Sequence, residues 1–184
     1  MRSRIALTAL AAFFSLGVAH AQNAEMLPGM IMPDDTRMVI PMLNVLFSLN
    51  TAGYRLMESS TGEMGNEAKF FAVNPETGMV MSLHLEFTTE KGDAFAAREH
   101  YWTKMQRSPL KKADIELSEI DGVPIVTHTV VEAQGQTLSQ RNYNAYWSRN
   151  NVWIDLHLSK MNATPEDDEL FLATIRSAEL GPSR

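Results

Sequence analysis

The stretch Asn142 to Met161, NYNAYWSRNNVWIDLHLSKM, decides the fold. Tyr143, Ala145 and Trp147 alternate with Asn142, Asn144 and Tyr146. After Arg149-Asn150-Asn151, Val152, Ile154, Leu156 and Leu158 alternate with Trp153, Asp155, His157 and Ser159. A period of two sends successive side chains to opposite faces of a sheet, so both runs read as strands. Asparagine tolerates the positive φ that a tight hairpin turn needs, which places the tip at Asn150-Asn151. The rest of the chain is expected to pair with this hairpin or to cover it.

Working outward, Met79, Met81, Leu83, Leu85 and Phe87 alternate with Val80, Ser82, His84 and Glu86. This strand matches the Val152–Leu158 run in period. Asn74-Pro75-Glu76-Thr77-Gly78 is a turn that joins it to a strand over Lys69–Val73. Further strands are expected at Val45–Asn50, Tyr54–Met57, Ile115–Ile120, Pro124–Glu132 and Thr137–Trp147. Thr51-Ala52-Gly53, Asp121-Gly122 and Gln134-Gly135 serve as turns, and Glu58–Asn66 as a loop. A helix near 94–107 starts after Asp93, whose carboxylate can accept from free first-turn amides. A second helix near 165–179 has Thr164 as N-cap, Pro165 in the first position and Glu166, Asp167 and Asp168 against the dipole. Phe171, Leu172, Ile175 and Ala178 form its buried stripe, and Gly181-Pro182 is expected to stop it.

The chain has 184 residues and no cysteine. Arg2 and Arg4, an apolar run over residues 5–18 and Ala19-His20-Ala21 read as a secretory signal peptide, residues 1–21, cut before Gln22. The expected compartment is therefore the periplasm, with no stable membrane anchor after cleavage. Residues 22–42 are a Met- and Pro-rich leader in which Asp35-Thr36 caps at most a short helix, because Pro41 opposes a long one. Residues 43–184 form a single domain. After cleavage, residues 22–184 carry fourteen basic residues against 22 acidic ones, a balance of −8. Such a surface lacks the cations that displace phosphate counterions, so nucleic acid is not an expected partner. Without cysteine, disulfides and thiolate metal sites are excluded and the core alone must hold the fold.

The order of elements is familiar. Phe47-Ser48-Leu49 runs into Gly53-Tyr54-Arg55-Leu56, the Met79–Phe87 strand precedes a helix, and Ile120-Asp121-Gly122-Val123-Pro124 leads a long antiparallel meander. Asp168-Glu169-Leu170-Phe171 then opens a final helix that ends in Ile175-Arg176-Ser177. Over residues 43–180 this resembles the PsbP-like superfamily, in particular its periplasmic DcrB-like branch. The resemblance implies an α+β fold, a central antiparallel sheet with helices packed on its faces. It also implies a binding or accessory role, with no catalytic residues to carry over and no cofactor. Two departures stand out. Thr51-Ala52 replaces the proline often found before the first Gly, and the cysteine of lipidated members is absent.

The side chains offer three candidate sites. His84 and His157 lie opposite the aliphatic stripes of their strands, with Glu86 and Asp155 on the same faces. If the two strands are neighbours, these four converge on Zn²⁺ or another divalent ion; otherwise they line a polar sheet face. Met26, Met30, Met32, Met38 and Met42 offer soft thioethers to Cu(I), or simply pack. Tyr146 and Trp153 fall out of phase with the aliphatic sets, as an exposed anchor for a partner or as residues under a helix. No nucleophile elbow, phosphate-binding loop or metalloprotease helix is present in the sequence. The expected function is a non-enzymatic module that docks an envelope or secreted protein. Metal or copper binding is the alternative.

Overall fold

The structure, a computed structural model, describes residues 36–62 and 65–182. The expected signal peptide, the leader as far as Asp35, and Met26, Met30 and Met32 lie outside those residues. In chain order the elements are β1 (Arg37–Met42), β2 (Val45–Asn50), β3 (Arg55–Thr61), β4 (Glu67–Val73), β5 (Val80–Phe87) and α1 (Ala94–Gln106). They continue with β6 (Lys111–Ile120), β7 (Val123–Ala133), β8 (Gln136–Arg149), β9 (Val152–Met161), α2 (Pro165–Arg176) and β10 (Glu179–Pro182). The strands form a seven-stranded sheet in the order β3-β4-β5-β9-β8-β7-β6 and a three-stranded sheet in the order β1-β2-β10. All neighbouring pairs are antiparallel.

The central hairpin forms as its alternation predicts. Asn150 and Asn151 turn the chain with φ of 51° and 63°. The register sets Tyr143, Ala145 and Trp147 opposite Leu158, Leu156 and Ile154, and these in turn opposite Met81, Leu83 and Leu85 of β5. That apolar face packs against Phe47 and Leu49 of β2 and against Phe171 and Ile175 of α2. Phe47 meets Trp147 with ring centroids 5.4 Å apart, and Phe171 stacks on Tyr143 at 4.8 Å. The opposite face carries α1, whose Ala97, Tyr101 and Trp102 pack with Val126, Tyr146 and Trp153. The fold is therefore α+β, with helices on both faces of a central antiparallel sheet. The small sheet shares one of those faces with α2.

Local chemistry fixes the helix starts. Asp93 accepts from the amides of Phe95 and Ala96 at 3.0 and 3.1 Å. Asp167 accepts from the Thr164 amide at 2.8 Å and from Lys160 Nζ at 2.6 Å, tying α2 back to β9. Among the described residues no helix is long and apolar enough to cross a membrane.

β6 starts at Lys111, four residues before the expected Ile115, and β4 at Glu67 rather than Lys69; three segments differ more from expectation. Residues 37–42, read as leader with a possible helical turn, form β1, and Met38, Ile40 and Met42 alternate into the core. Sheet pairing with β2 outweighs the short helical signal, and Pro41 is tolerated because β1 is an edge strand. Residues 58–61, read as loop, continue β3 with a bulge at Met57. An edge strand with little burial needs no apolar face, so its polar sequence was misleading. Finally, α2 ends at Arg176 with Ser177 as its C-cap, and Gly181-Pro182 belongs to β10 on the edge of the small sheet. The helix stops before the residues expected to stop it.

Leu156 and Ile175 are 0% and 1% exposed. We expect Leu156→Ala and Ile175→Ala each to lower the unfolding free energy by about 2–5 kcal/mol, seen in urea as a lower midpoint with an unchanged slope.

Candidate metal centre

The polar face of the sheet under α1 is built by register. Asn74 Oδ1 accepts from the amides of Glu76 and Thr77 at 3.0 and 3.2 Å, and Gly78 takes φ of 74°, so the β4–β5 turn is tight. This hairpin sets Glu67 opposite Glu86 and Lys69 opposite His84. On the other side of β5, His84 faces Asp155 and Ser82 faces His157. The two strands carrying His84 and His157 are therefore neighbours, as the metal reading required.

The four predicted ligands nevertheless do not converge. Glu67, His84 and Glu86 do: one ligand atom from each lies within 4.8 Å of the others. His84 Nε2 is 2.8 Å from Glu67 Oε1 and donates to it, since a carboxylate only accepts. Lys69 Nζ is 2.6 Å from the same oxygen. Glu86 Oε1 accepts from the Tyr101 hydroxyl at 2.7 Å, which brings α1 to the edge of the cluster. His84 is half-buried and its imidazole is held below the usual range, chiefly by burial. It is thus neutral at pH 7 with its proton on Nε2, and a metal ion bound at that nitrogen must displace the proton. Lys69, through its hydrogen bond, holds the Glu67 carboxyl below its ordinary value.

Asp155 and His157 are engaged elsewhere. Asp155 accepts from Asn144 Nδ2 at 3.3 Å, and burial pushes its carboxyl up to about 7. His157 Nε2 is 2.9 Å from Asn142 Oδ1, and Nδ1 is 3.4 Å from Ser82 Oγ. Asn142 Nδ2 already donates to the Gln140 carbonyl, so Asn142 Oδ1 is an acceptor and His157 carries its proton on Nε2. Burial pushes His157 down to about 4.

The expected aromatic anchor is corrected. Tyr146 and Trp153 are 0% and 2% exposed, under α1. Tyr101 stacks on Tyr146 at 6.0 Å and meets Trp153 edge-on at 6.4 Å. The helix that covers this face takes both side chains into its own core, including the Tyr146 hydroxyl and the Trp153 Nε1. They are not available to a partner. Met38 and Met42 are likewise core residues, 2% and 4% exposed, so no open thioether set forms at the described methionines of the leader.

Sequence reasoning missed Glu67 because the preceding segment read as loop and the strand was started at Lys69. The signal was there: Ala68, Phe70 and Ala72 alternate with Glu67, Lys69 and Phe71. It missed Tyr101 because the helix was aligned on Phe95, Trp102 and Met105. Phe95 is in fact 42% exposed, and Tyr101 turns inward beside Trp102.

No protein-family profile and no curated protein matches the chain. Solved structures do. The solution structure of cyanobacterial PsbP (CyanoP) from Synechocystis matches with a TM-score of 0.50 at 11% identity, over 90% of this chain and 99% of that one. A crystal structure from Bacteroides thetaiotaomicron matches with a TM-score of 0.44 at 14% identity. That match spans 81% of this chain and 48% of the Bacteroides chain, about half its length. The fold is thus PsbP-like.

The buried histidines make acid stability a test of this face. His128 is 1% exposed beneath Trp102 and is pushed down to about 3, first by burial and then by His157, Lys112 and Arg141. Between the unfolded value of about 6.5 and these folded values, His128 and His157 each bind a proton only after unfolding, so stability falls as pH falls. Asp155 acts oppositely, being protonated in the folded state below about 7. These three groups together give a loss near 1.4 kcal/mol per pH unit from about pH 6 to 4.5, and His84, also held down, adds to it. His128→Gln should flatten this slope and Asp155→Asn should steepen it, measured by urea unfolding across that range.

Proposed function

We propose that the mature chain is an exported, non-enzymatic binding module of the DcrB-like kind, and that its ligand is a divalent metal ion held by Glu67, His84 and Glu86. One observation carries this: three ligand-type side chains from two hydrogen-bonded strands meet within 4.8 Å. One nitrogen and two carboxylate donors suit zinc or manganese better than calcium, which takes six to eight oxygens. Tetrahedral zinc with bonds of about 2 Å wants ligand atoms ~3.3 Å apart. The cluster need close by no more than roughly 1.5 Å, which rotamer changes of two glutamates supply. Water would complete the shell.

Docking of an envelope protein is the second role, with a different surface from the one the sequence suggested. Ile115 and Leu117 on edge strand β6 are 49% and 45% exposed. They offer a small apolar contact at the bulge formed by Asp114, whose φ is 51°, and Ile115.

Purified protein dialysed after exposure to Zn²⁺ is expected to retain about one equivalent, as counted by elemental analysis, and His84→Ala is expected to abolish retention. Equal retention by wild type and His84→Ala would overturn the assignment. For docking, envelope proteins captured by the wild type should be lost with the Ile115→Lys, Leu117→Lys double variant. Equal capture by both would remove β6 as the contact.

A further inference from the structure

The geometry points to Lys69 as a tethered cation that occupies the metal site in the metal-free protein and must swing out for a metal ion to enter. This rests on the metal-binding role proposed above. Glu67 and Glu86 stand directly opposite each other on adjacent strands, a cross-strand pair of like charges that is destabilising unless compensated. Two protein groups compensate it: the Lys69 ammonium on Glu67 Oε1 and the Tyr101 hydroxyl on Glu86 Oε1. Lys69 is two residues from Glu67 on the same face of β4 and directly opposite His84, so its ammonium reaches the cluster.

Glu67 Oε1 is the point of conflict. It accepts from both Lys69 Nζ at 2.6 Å and His84 Nε2 at 2.8 Å. A metal ion bridging Glu67 and His84 needs that oxygen and that nitrogen, and it brings its own positive charge to within a few ångströms of the ammonium. The two cations therefore compete for one carboxylate. The Lys69 side chain is 47% exposed, so a long flexible stem can carry the ammonium out into water without disturbing the core. Tyr101 has no such exit, being buried against Tyr146 and Trp153. The ammonium is the part of the metal-free arrangement that moves.

The functional consequence is a set point. With Lys69 in place one of the two carboxylate charges is balanced without metal, and affinity for metal is held down. Only an ion that outcompetes a tethered ammonium is captured.

The test is calorimetric titration of the full chain with zinc chloride, comparing wild type with Lys69→Met and Lys69→Arg. Lys69→Met removes the ammonium and keeps the stem; it is expected to bind zinc roughly three- to tenfold more tightly while its metal-free form melts earlier. Lys69→Arg keeps the charge and is expected to stay within about twofold of wild type. Tighter binding in Lys69→Met that disappears on adding His84→Ala supports the competition, even if the wild type binds zinc too weakly to titrate. His84-dependent binding in the wild type that Lys69→Met leaves unchanged or weakens overturns the role of Lys69 alone. Absence of binding in both wild type and Lys69→Met overturns the metal-binding role and the competition with it.

Discussion

Everything in this structure depends on β5, β9 and β8 sealing one face against the small sheet and α2 while their side chains alternate strictly. One set, Met81, Leu83, Leu85, Ile154, Leu156 and Leu158, is sealed against the small sheet and α2. The other set, Ser82, His84, Glu86, Asp155, His157, Asn142 and Asn144, shares its face with α1. A slip of one residue would push the histidines and carboxylates into the aliphatic core and the leucines under the helix. Register is therefore fixed by the cost of that exchange, and the fixed register decides which polar groups meet.

The polar face is costly to bury, and most of its groups are paired. His157 is held between Asn142 and Ser82, Asp155 has Asn144, and Glu86 has Tyr101. The pairing is incomplete: among the described residues, His128 Nδ1, Asn144 Oδ1, Tyr146 OH, Trp153 Nε1 and Ser159 Oγ have no hydrogen-bond partner. Evolution could cover such a face with leucine at lower cost, and unpaired buried polar atoms each forgo about 1–3 kcal/mol.

The fold was legible because alternation is a strong signal wherever one side of a strand is sealed. The central hairpin, β5, β7 and both helix caps were read from Asn150-Asn151, Asp93 and Thr164-Pro165. Edge elements were not: β1, the end of β3 and β10 carry proline, glycine and polar residues that an edge strand tolerates and a single sequence reports as loop or stop signals. The site was half legible. His84 and Glu86 were placed on the correct face, but a face is not a contact. Which row each residue joins depends on which strand pairs with which and in what register, and those are long-range facts. Glu67 enters because β4 lies beside β5; Asp155 leaves because Asn144 of β8 claims it. Tyr146 and Trp153 were read correctly as out of phase with the aliphatic set. Their exposure depended on whether α1 crossed them, and it does.

The PsbP-like fold positions these groups but does not dictate their use, since a fold shared at 11% identity carries architecture and not chemistry. The central claim is that His84, alone among the described histidines, binds a metal ion through Nε2. Long-range proton–nitrogen NMR of the imidazole rings, recorded before and after one equivalent of Zn²⁺, tests this most directly. The account predicts that His84 Nε2 loses its proton-bearing signature and shifts to a metal-bound one while His100, His128 and His157 stay where they were. An unchanged His84, or a shift at any of the other three in its place, would contradict it.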